Sequence, residues 1–203
     1  MAFELTQVLL RRALRNIPNI EVGQYNSGDP SSAQDLAALH AIVGQDSQLA
    51  YWYAANGSLD VSWQATGAEA PIGQIRIQPL QRFMQDWEGV VYFDKDSNRR
   101  AFKIFDFHTD ELCVGLFLGA ENDQRVFVYD FSEEPVSLQI DLAGYVDLLL
   151  LSRGFQFWPI VLRNLLQERT SPEQEQFIEW MPRLFPDFSM AAFEQAFAER
   201  RLV

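Results

Sequence analysis

Cysteine is almost absent from this chain, since Cys113 is the only one among 203 residues. A single thiol cannot form an intrachain disulfide, and a chain of this length buries enough apolar surface to fold without one. Hydrophobic residues make up 48% of the composition, well above the content of disordered proteins. We therefore expect a self-folding protein in a reducing compartment, with the cytoplasm as its location.

Long apolar runs are missing as well. The most hydrophobic segment, residues 146–151, contains Asp147 and is far shorter than the roughly 20 apolar residues that cross a bilayer. Near the N-terminus, Glu4 stands where a secretory leader carries positive charge, and Arg11 and Arg12 interrupt the apolar stretch. We expect neither a membrane partner nor export by the secretory route.

The chain also lacks the common catalytic motifs. The chain contains no phosphate-binding glycine loop, nucleophile elbow, dinucleotide fingerprint or paired-cysteine metal motif. Cys113 and His108 have the chemistry of a nucleophile and its base, but Cys113 falls within the most apolar predicted strand, where a thiol behaves as a small hydrophobe. We predict no catalytic residue and no cofactor. The alternative is a small-molecule-binding domain or enzyme, which would need a deep apolar pocket with convergent polar groups.

The densest polar cluster in the sequence is the segment DFHTDE, which contains Asp106, His108, Asp110 and Glu111. Imidazole and carboxylate groups are suitable metal ligands. Closed metal sites usually take ligands from several elements, however, and His40 is the only other imidazole in the chain. We predict that this cluster binds no metal and forms a solvated hairpin end or the polar rim of a protein interface.

Acidic residues outnumber basic ones, and the formal net charge is -12 at pH 7. Residues 21–154 hold 20 Asp and Glu against 8 Lys and Arg, whereas residues 1–20 hold three Arg and one Glu. Such a field repels nucleic acid, whose binding depends on cationic contacts to phosphate, and attracts basic partners. We expect a basic protein partner and no nucleic acid; the alternative is that the charge serves solubility alone.

Helical patterns lie on both sides of a region with strand periodicity. An amphipathic helix is predicted over residues 5–17, followed by a loop over residues 21–30 that is rich in Gly, Asn, Ser and Pro. Ser32 and Ser47 are candidate N-caps of two further helices, and the second of these ends at Asn56-Gly57.

In the central region the hydrophobic period changes to two, which is typical of strands with one solvated face. Strands are predicted over residues 59–64, around Ile75, and over residues 102–107, 112–118, 125–131 and 136–140, with a short helix over residues 79–87. The connectors between the later strands are too short for crossover helices, so residues 58–140 should form one mainly antiparallel sheet. Residues 112–118 are apolar at almost every position and should form an interior strand.

Helices return towards the C-terminus, over residues 142–153 and 160–167. Ser171, Pro172 and Gln174 then have the spacing of an N-cap, an N1 proline and a capping-box partner, and Ser189 is a candidate cap for a final helix. The order of elements predicts an α+β fold, in which helices flank a mainly antiparallel β-sheet and extra helices lie at both termini.

The join between helix and sheet, SQLAYWYAANGSLDVSW, resembles the SUKH superfamily, which includes yeast regulators of cell-wall synthesis and many bacterial immunity proteins. A short aromatic helix ends in Asn56-Gly57 and leads into a strand with Trp63. The later order is also similar: a strand around Ile75, an aromatic region around Trp87, a hairpin over residues 119–129 and a helix over residues 141–151. The resemblance covers residues 33–154, so that residues 1–20 form an additional helix and residues 155–203 a helical extension packed on the same domain.

The resemblance implies a central antiparallel sheet flanked by helices, no cofactor, and a role in binding other proteins. Immunity members neutralise toxins, frequently nucleases, whereas the yeast members imply a regulator or scaffold without a toxin; both alternatives stay open. Trp87 lies between acidic residues in QDWEG, which is the setting of an exposed aromatic anchor, although local packing is the alternative. The predicted partner-binding residues are Trp87, Asp106, His108, Asp110, Glu111, Glu133 and Glu134.

Overall fold

A computed structural model describes residues 3–15, 17–67, 70–94, 98–119, 124–131 and 134–202. Its centre is a seven-stranded sheet in which every pairing is antiparallel and the strands lie side by side in chain order. The strands are β1 Ile20–Ser27, β2 Leu59–Ala65, β3 Ile72–Ile77, β4 Phe102–Thr109, β5 Leu112–Phe117, β6 Phe127–Tyr129 and β7 Val136–Ser137. The predicted α+β class and the antiparallel arrangement are confirmed.

Helices precede, interrupt and follow the sheet. They are α1 Thr6–Leu14, α2 Ala33–Val43, α3 Gln48–Ala55, α4 Leu80–Phe83, α5 Leu142–Ser152, α6 Trp158–Gln167, α7 Pro172–Leu184 and α8 Met190–Arg200. All four predicted serine caps are confirmed, because each hydroxyl oxygen accepts the backbone N–H three residues later. Within the described ranges, no helix combines the length and apolarity that a membrane span requires.

The loop predicted over residues 21–30 is wrong, because most of it forms the edge strand β1. Most side chains of β1 are exposed, and Ile20 and Tyr25 are only partly buried. The strand therefore has no alternation of apolar residues that a sequence pattern could reveal. Its conformation comes from backbone pairing with β2, which continues from Ile20 to Ser27 across a bulge between Val22 and Gln24.

The interior position predicted for residues 112–118 is confirmed, because β5 lies between β4 and β6 and is buried along almost its whole length. Successive side chains of a strand point to opposite faces. Val114 accordingly belongs to a large buried cluster, and Cys113 to a smaller one. Apolar side chains therefore cover both faces of this part of the sheet.

The two clusters differ in what covers them. The larger one contains residues of all the long helices, such as Trp52 of α3, Tyr145 of α5 and Phe177 of α7. The smaller one is covered by the segment between β3 and β4, and its members are Trp87, Val91, Tyr92, Phe102, Ile104, Cys113 and Tyr129. This covering is possible because β3 and β4 pair only at Ile77 and Asp106, so the chain leaves the sheet at that point.

Trp63 connects the sheet to the C-terminal helices. Its indole Nε1 donates to the backbone oxygen of Arg153 at 2.8 Å, and its ring packs edge-on against Phe185 with centroids 5.6 Å apart. Gly73 lies directly under the same indole, so that a Cβ there would be 2.0 Å from a ring atom. The absence of a side chain at Gly73 is thus a packing requirement.

The substitution Gly73→Ala should lower the free energy of unfolding by about 1–3 kcal/mol, because the indole is held by its hydrogen bond and cannot move aside without loss. Gly119→Ala is the matched control, since a Cβ at Gly119 would meet nothing within 4 Å. Urea unfolding of the two variants measures the difference. Equal stabilities would contradict the packing role of Gly73.

Candidate functional site

Three of the seven residues predicted for the partner surface are buried, which corrects that prediction. Trp87 is 2% exposed, and Asp106 and His108 are each 0% exposed. None of these three side chains can contact a partner without local unfolding. The surface has to be sought among the remaining residues.

Trp87 packs inward because an apolar face of the sheet lies beneath it. Its ring contacts Phe107 with centroids 6.1 Å apart, and its Nε1 faces the backbone oxygen of Phe83 at 3.5 Å. The neighbouring acids Asp86 and Glu88 remain exposed. The polar residues on both sides of Trp87 in QDWEG thus belong to a loop that covers the smaller cluster. Trp87 itself is not an exposed anchor.

Asp106 is a buried link between strands and helix. One carboxylate oxygen accepts the backbone N–H of Arg76 at 2.9 Å, and the other accepts the hydroxyl of Tyr145 at 2.8 Å. A register shift between Ile104 and Asp106 accompanies this placement on β4. Burial raises the pKa of Asp106 to about 6, which the two hydrogen bonds and the Arg76 charge only partly oppose.

The side chain of His108, on β4, is buried against Phe157, the residue that precedes α6. Its Nε2 accepts the backbone N–H of Phe157 at 3.1 Å, and Nδ1 has no hydrogen-bond partner among the described residues. Burial lowers the pKa of His108 to about 3, so the ring is neutral at physiological pH. In the described part of the chain, no three His, Cys, Asp or Glu side chains come together as a metal site would require. The ring instead satisfies a backbone N–H at the helix end.

The exposed members of the prediction lie at one end of the sheet. Asp110 and Glu111 form the turn between β4 and β5, and Glu134 follows β6. The pairings of Thr109 with Leu112 and of Cys113 with Tyr129 place both turns at that end. We call Asp110, Glu111 and Glu134 the acidic end; Glu133 lies outside the described residues.

Ion pairs at the acidic end are exposed. Asp110 is paired with Arg76 at 3.1 Å, although the aspartate side chain remains 92% exposed. Glu134 is paired with Arg99, which also contacts the hydroxyl of Tyr129 and lowers the pKa of Glu134 by hydrogen bonding. Exposed pairs of this kind contribute at most about 1 kcal/mol, so a competing cation can replace the arginine.

Beside the acidic end lies a cleft of about 310 Å³ in which further acids face one arginine. Glu111, Asp130 and Glu173 are among its lining residues, and Arg163 donates to Asp130 at 2.7 Å. The negative field at this end therefore extends from the β4–β5 turn to α7.

Sequence reasoning missed the most exposed large apolar side chain of the described residues, Phe93, which is 81% exposed. It follows Val91 and Tyr92, which are buried in the smaller cluster, and Val90 nearby is 38% exposed. The sequence signal was a run of four apolar residues, 90–93, in the segment between β3 and β4, but the run does not show which of the four is exposed. The exposed aromatic expected at Trp87 is instead found at Phe93.

The candidate catalytic pair is not assembled. Cys113 belongs to the smaller cluster, where burial raises the pKa of its thiol, whereas His108 is hydrogen-bonded to Phe157 at the start of α6. The mainly apolar pocket near Leu49 and Leu116 has a volume of only about 30 Å³, and its lining includes no titratable side chain. That space is room for about two water molecules.

Comparison of the chain with protein-family models, with curated proteins and with solved structures finds no match.

Asp106 makes stability depend on pH. A carboxyl whose pKa is 3.8 when unfolded and about 6 when folded binds its proton more tightly in the folded state. The wild type therefore loses stability as the pH rises from about 4 to 6. In Asp106→Asn this loss is absent, so the variant should gain roughly 2.5 kcal/mol relative to the wild type between pH 4 and pH 7.

Denaturant unfolding at several pH values tests this expectation for Asp106. The exposed Asp29→Asn variant serves as a control for the loss of one surface carboxylate. A stability difference between Asp106→Asn and the wild type that stays constant with pH would show that the carboxyl titrates normally.

His108 makes stability depend on pH in the opposite direction to Asp106. Because its pKa falls from 6.5 to about 3 on folding, the unfolded chain binds the extra proton, and the wild type loses stability as the pH falls below about 6.5. His108→Gln retains an acceptor for the Phe157 N–H and does not titrate. Relative to this variant, the wild type should lose roughly 2 kcal/mol between pH 7 and pH 5. His40→Gln is the control, and the same measurements contradict the expectation if both histidine variants behave alike.

Proposed function

We propose that this protein is a non-catalytic binding module of the immunity type, which uses an acidic surface with an aromatic anchor to bind and neutralise a basic protein. The proposed partner is a toxin, with nucleases as the favoured class because of their basic surfaces. The proposal draws on the resemblance of residues 33–154 to the SUKH superfamily and on the net charge of -12. The α+β fold is compatible with both.

The observation that carries the proposal is the exposure of Phe93. The side chain is 81% exposed, yet the loop behind it is held by Trp87, Val91 and Tyr92 in the smaller cluster. Tyr92 is further tied to Asp86 by a hydrogen bond. An aromatic side chain on a firmly packed base loses little conformational freedom on binding, which is the property of an interface hot spot.

Exposed carboxylates accompany the aromatic anchor. Glu88 is exposed next to the Phe93 loop, and the acidic end carries Asp110, Glu111 and Glu134. Long-range attraction between this surface and a basic protein should speed encounter, while the anchor slows dissociation. Added salt should therefore mainly lower the association rate constant, whereas mutation of Phe93 should mainly raise the dissociation rate constant.

The first experiment identifies the partner and its charge dependence. The immobilised protein is exposed to lysate and secretions of its own cells, and each captured protein is purified and tested for direct binding. The association rate constant should fall steeply between low and physiological salt, while the dissociation rate constant changes little. An acidic partner, or association that does not depend on salt, would contradict the proposal and favour a regulator, a scaffold or a ligand-binding domain.

Variants then separate the anchor from the charges. Phe93→Ala should raise Kd about 30-fold, equivalent to roughly 2 kcal/mol, mainly through faster dissociation. Tyr51→Ala is the matched control, because Tyr51 is an aromatic residue 54% exposed on α3. Asp110→Asn alone should cost under about 1 kcal/mol.

Reversal of the whole acidic end, by Asp110→Lys, Glu111→Lys and Glu134→Lys together, should slow association far more than any single change. Unchanged binding in both Phe93→Ala and the triple variant would place the partner on another surface. Inhibition of the captured protein's toxic activity by the wild type, and not by Phe93→Ala, distinguishes an immunity protein from a scaffold.

A further inference from the structure

The edge strand β1 borders a basic groove on this acidic protein. In the described structure β1 pairs only with β2, so its other edge has no strand beside it. Alternate residues of an edge strand direct backbone N–H and C=O groups away from the sheet, where they can pair with another chain. The bulge between Val22 and Gln24 leaves the four residues from Gln24 to Ser27 in regular register.

Helix α1 lies beside this strand and is attached to it at Tyr25. The hydroxyl of Tyr25 donates to the backbone oxygen of Gln7 at 2.6 Å, and the guanidinium of Arg11 lies 4.4 Å from the centre of the Tyr25 ring. A groove of about 540 Å³ runs along the exposed side of α1 and meets β1 at Ser27. Its lining is Gln7, Val8, Arg11, Arg12, Arg15 and Ser27.

The groove is positively charged, although the protein as a whole is negatively charged. Arg11, Arg12 and Arg15 are exposed, and among the described residues none of them forms an ion pair with a carboxylate. Val8 on the same wall is 63% exposed. Three guanidinium groups without carboxylate partners and the exposed Val8 thus line one groove, and Ser27 connects that groove to the open edge of β1.

We infer that this groove binds an extended acidic peptide segment of another protein, which adds to the β1 edge as an eighth strand and places carboxylates against the arginines. Backbone pairing would supply affinity, and the alternate side chains that face α1 would supply selectivity for acid. The site is separate from the Phe93 surface and does not depend on the proposed function.

Charge decides between this occupant and its competitors. A second copy that paired β1 with β1 would bring two sets of arginines close together without neutralising them. An anionic membrane is flat and would leave the groove and the strand edge unused. An acidic strand can pair its carboxylates with the arginines and its backbone with the free N–H and C=O groups of β1 at the same time.

The probe is a fluorescein-labelled hexapeptide of alternating glutamate and valine, with the corresponding lysine–valine peptide as a control. Fluorescence anisotropy with the full chain should show salt-sensitive binding of the glutamate peptide and none of the lysine peptide. Two further versions carry N-methyl groups on either all glutamates or all valines. Because alternate residues of a strand face opposite edges, one methylated version should lose binding and the other should keep it.

The variant Arg12→Glu with Arg15→Glu should weaken binding of the glutamate peptide at least tenfold, whereas Arg169→Glu with Arg183→Glu, also at exposed positions, should leave it within about twofold. Hydrogen exchange of residues 20–27 should slow when the peptide binds. Equal binding of both methylated peptides would overturn the strand addition. Absence of binding of the glutamate peptide would overturn the proposal, and dimerisation of the protein or its binding to phosphatidylserine vesicles would then identify the occupant.

Discussion

The Asp106 carboxylate is the interaction on which the arrangement of this protein depends. It accepts the backbone N–H of Arg76 in β3 and the hydroxyl of Tyr145 in α5, while its own residue pairs with Ile77. β3 and β4 share only that one paired position, next to which Gln78 donates to the backbone oxygen of Phe105, so this buried carboxylate adds links across a short junction. A buried charge is tolerated there because both oxygens have hydrogen-bond donors.

The narrow junction between β3 and β4 has a structural consequence for the surface. The chain leaves the sheet after Ile77 and returns at Phe102, and the intervening loop covers the second face with Trp87 and Tyr92. A loop that buries some of its apolar residues against the sheet has to direct others outward, which is why Phe93 is exposed. The fold thus leaves one aromatic side chain exposed on a loop whose neighbouring residues are buried.

Negative and positive charge are concentrated in different parts of the fold. The acidic end lies at the β4–β5 and β6–β7 turns, where exposed carboxylates outnumber the arginines that pair with them. Arg11, Arg12 and Arg15 lie beside β1, at the opposite edge of the sheet, without acidic partners among the described residues. Such polarity suits a protein that contacts chemically different partners at separate sites, since each field attracts the opposite charge.

The sequence by itself determined the features that depend on near neighbours. Ser32 and Ser171 cap helices because the cap and the N–H it accepts are three residues apart, and short connectors were sufficient to predict antiparallel strands. Tertiary structure alone decided that residues 20–27 form a strand and that Trp87 is buried while Phe93 is not. These outcomes depend on contacts with distant elements, β2 for the first and the open face of β4 and β5 for the second, which a local pattern does not contain.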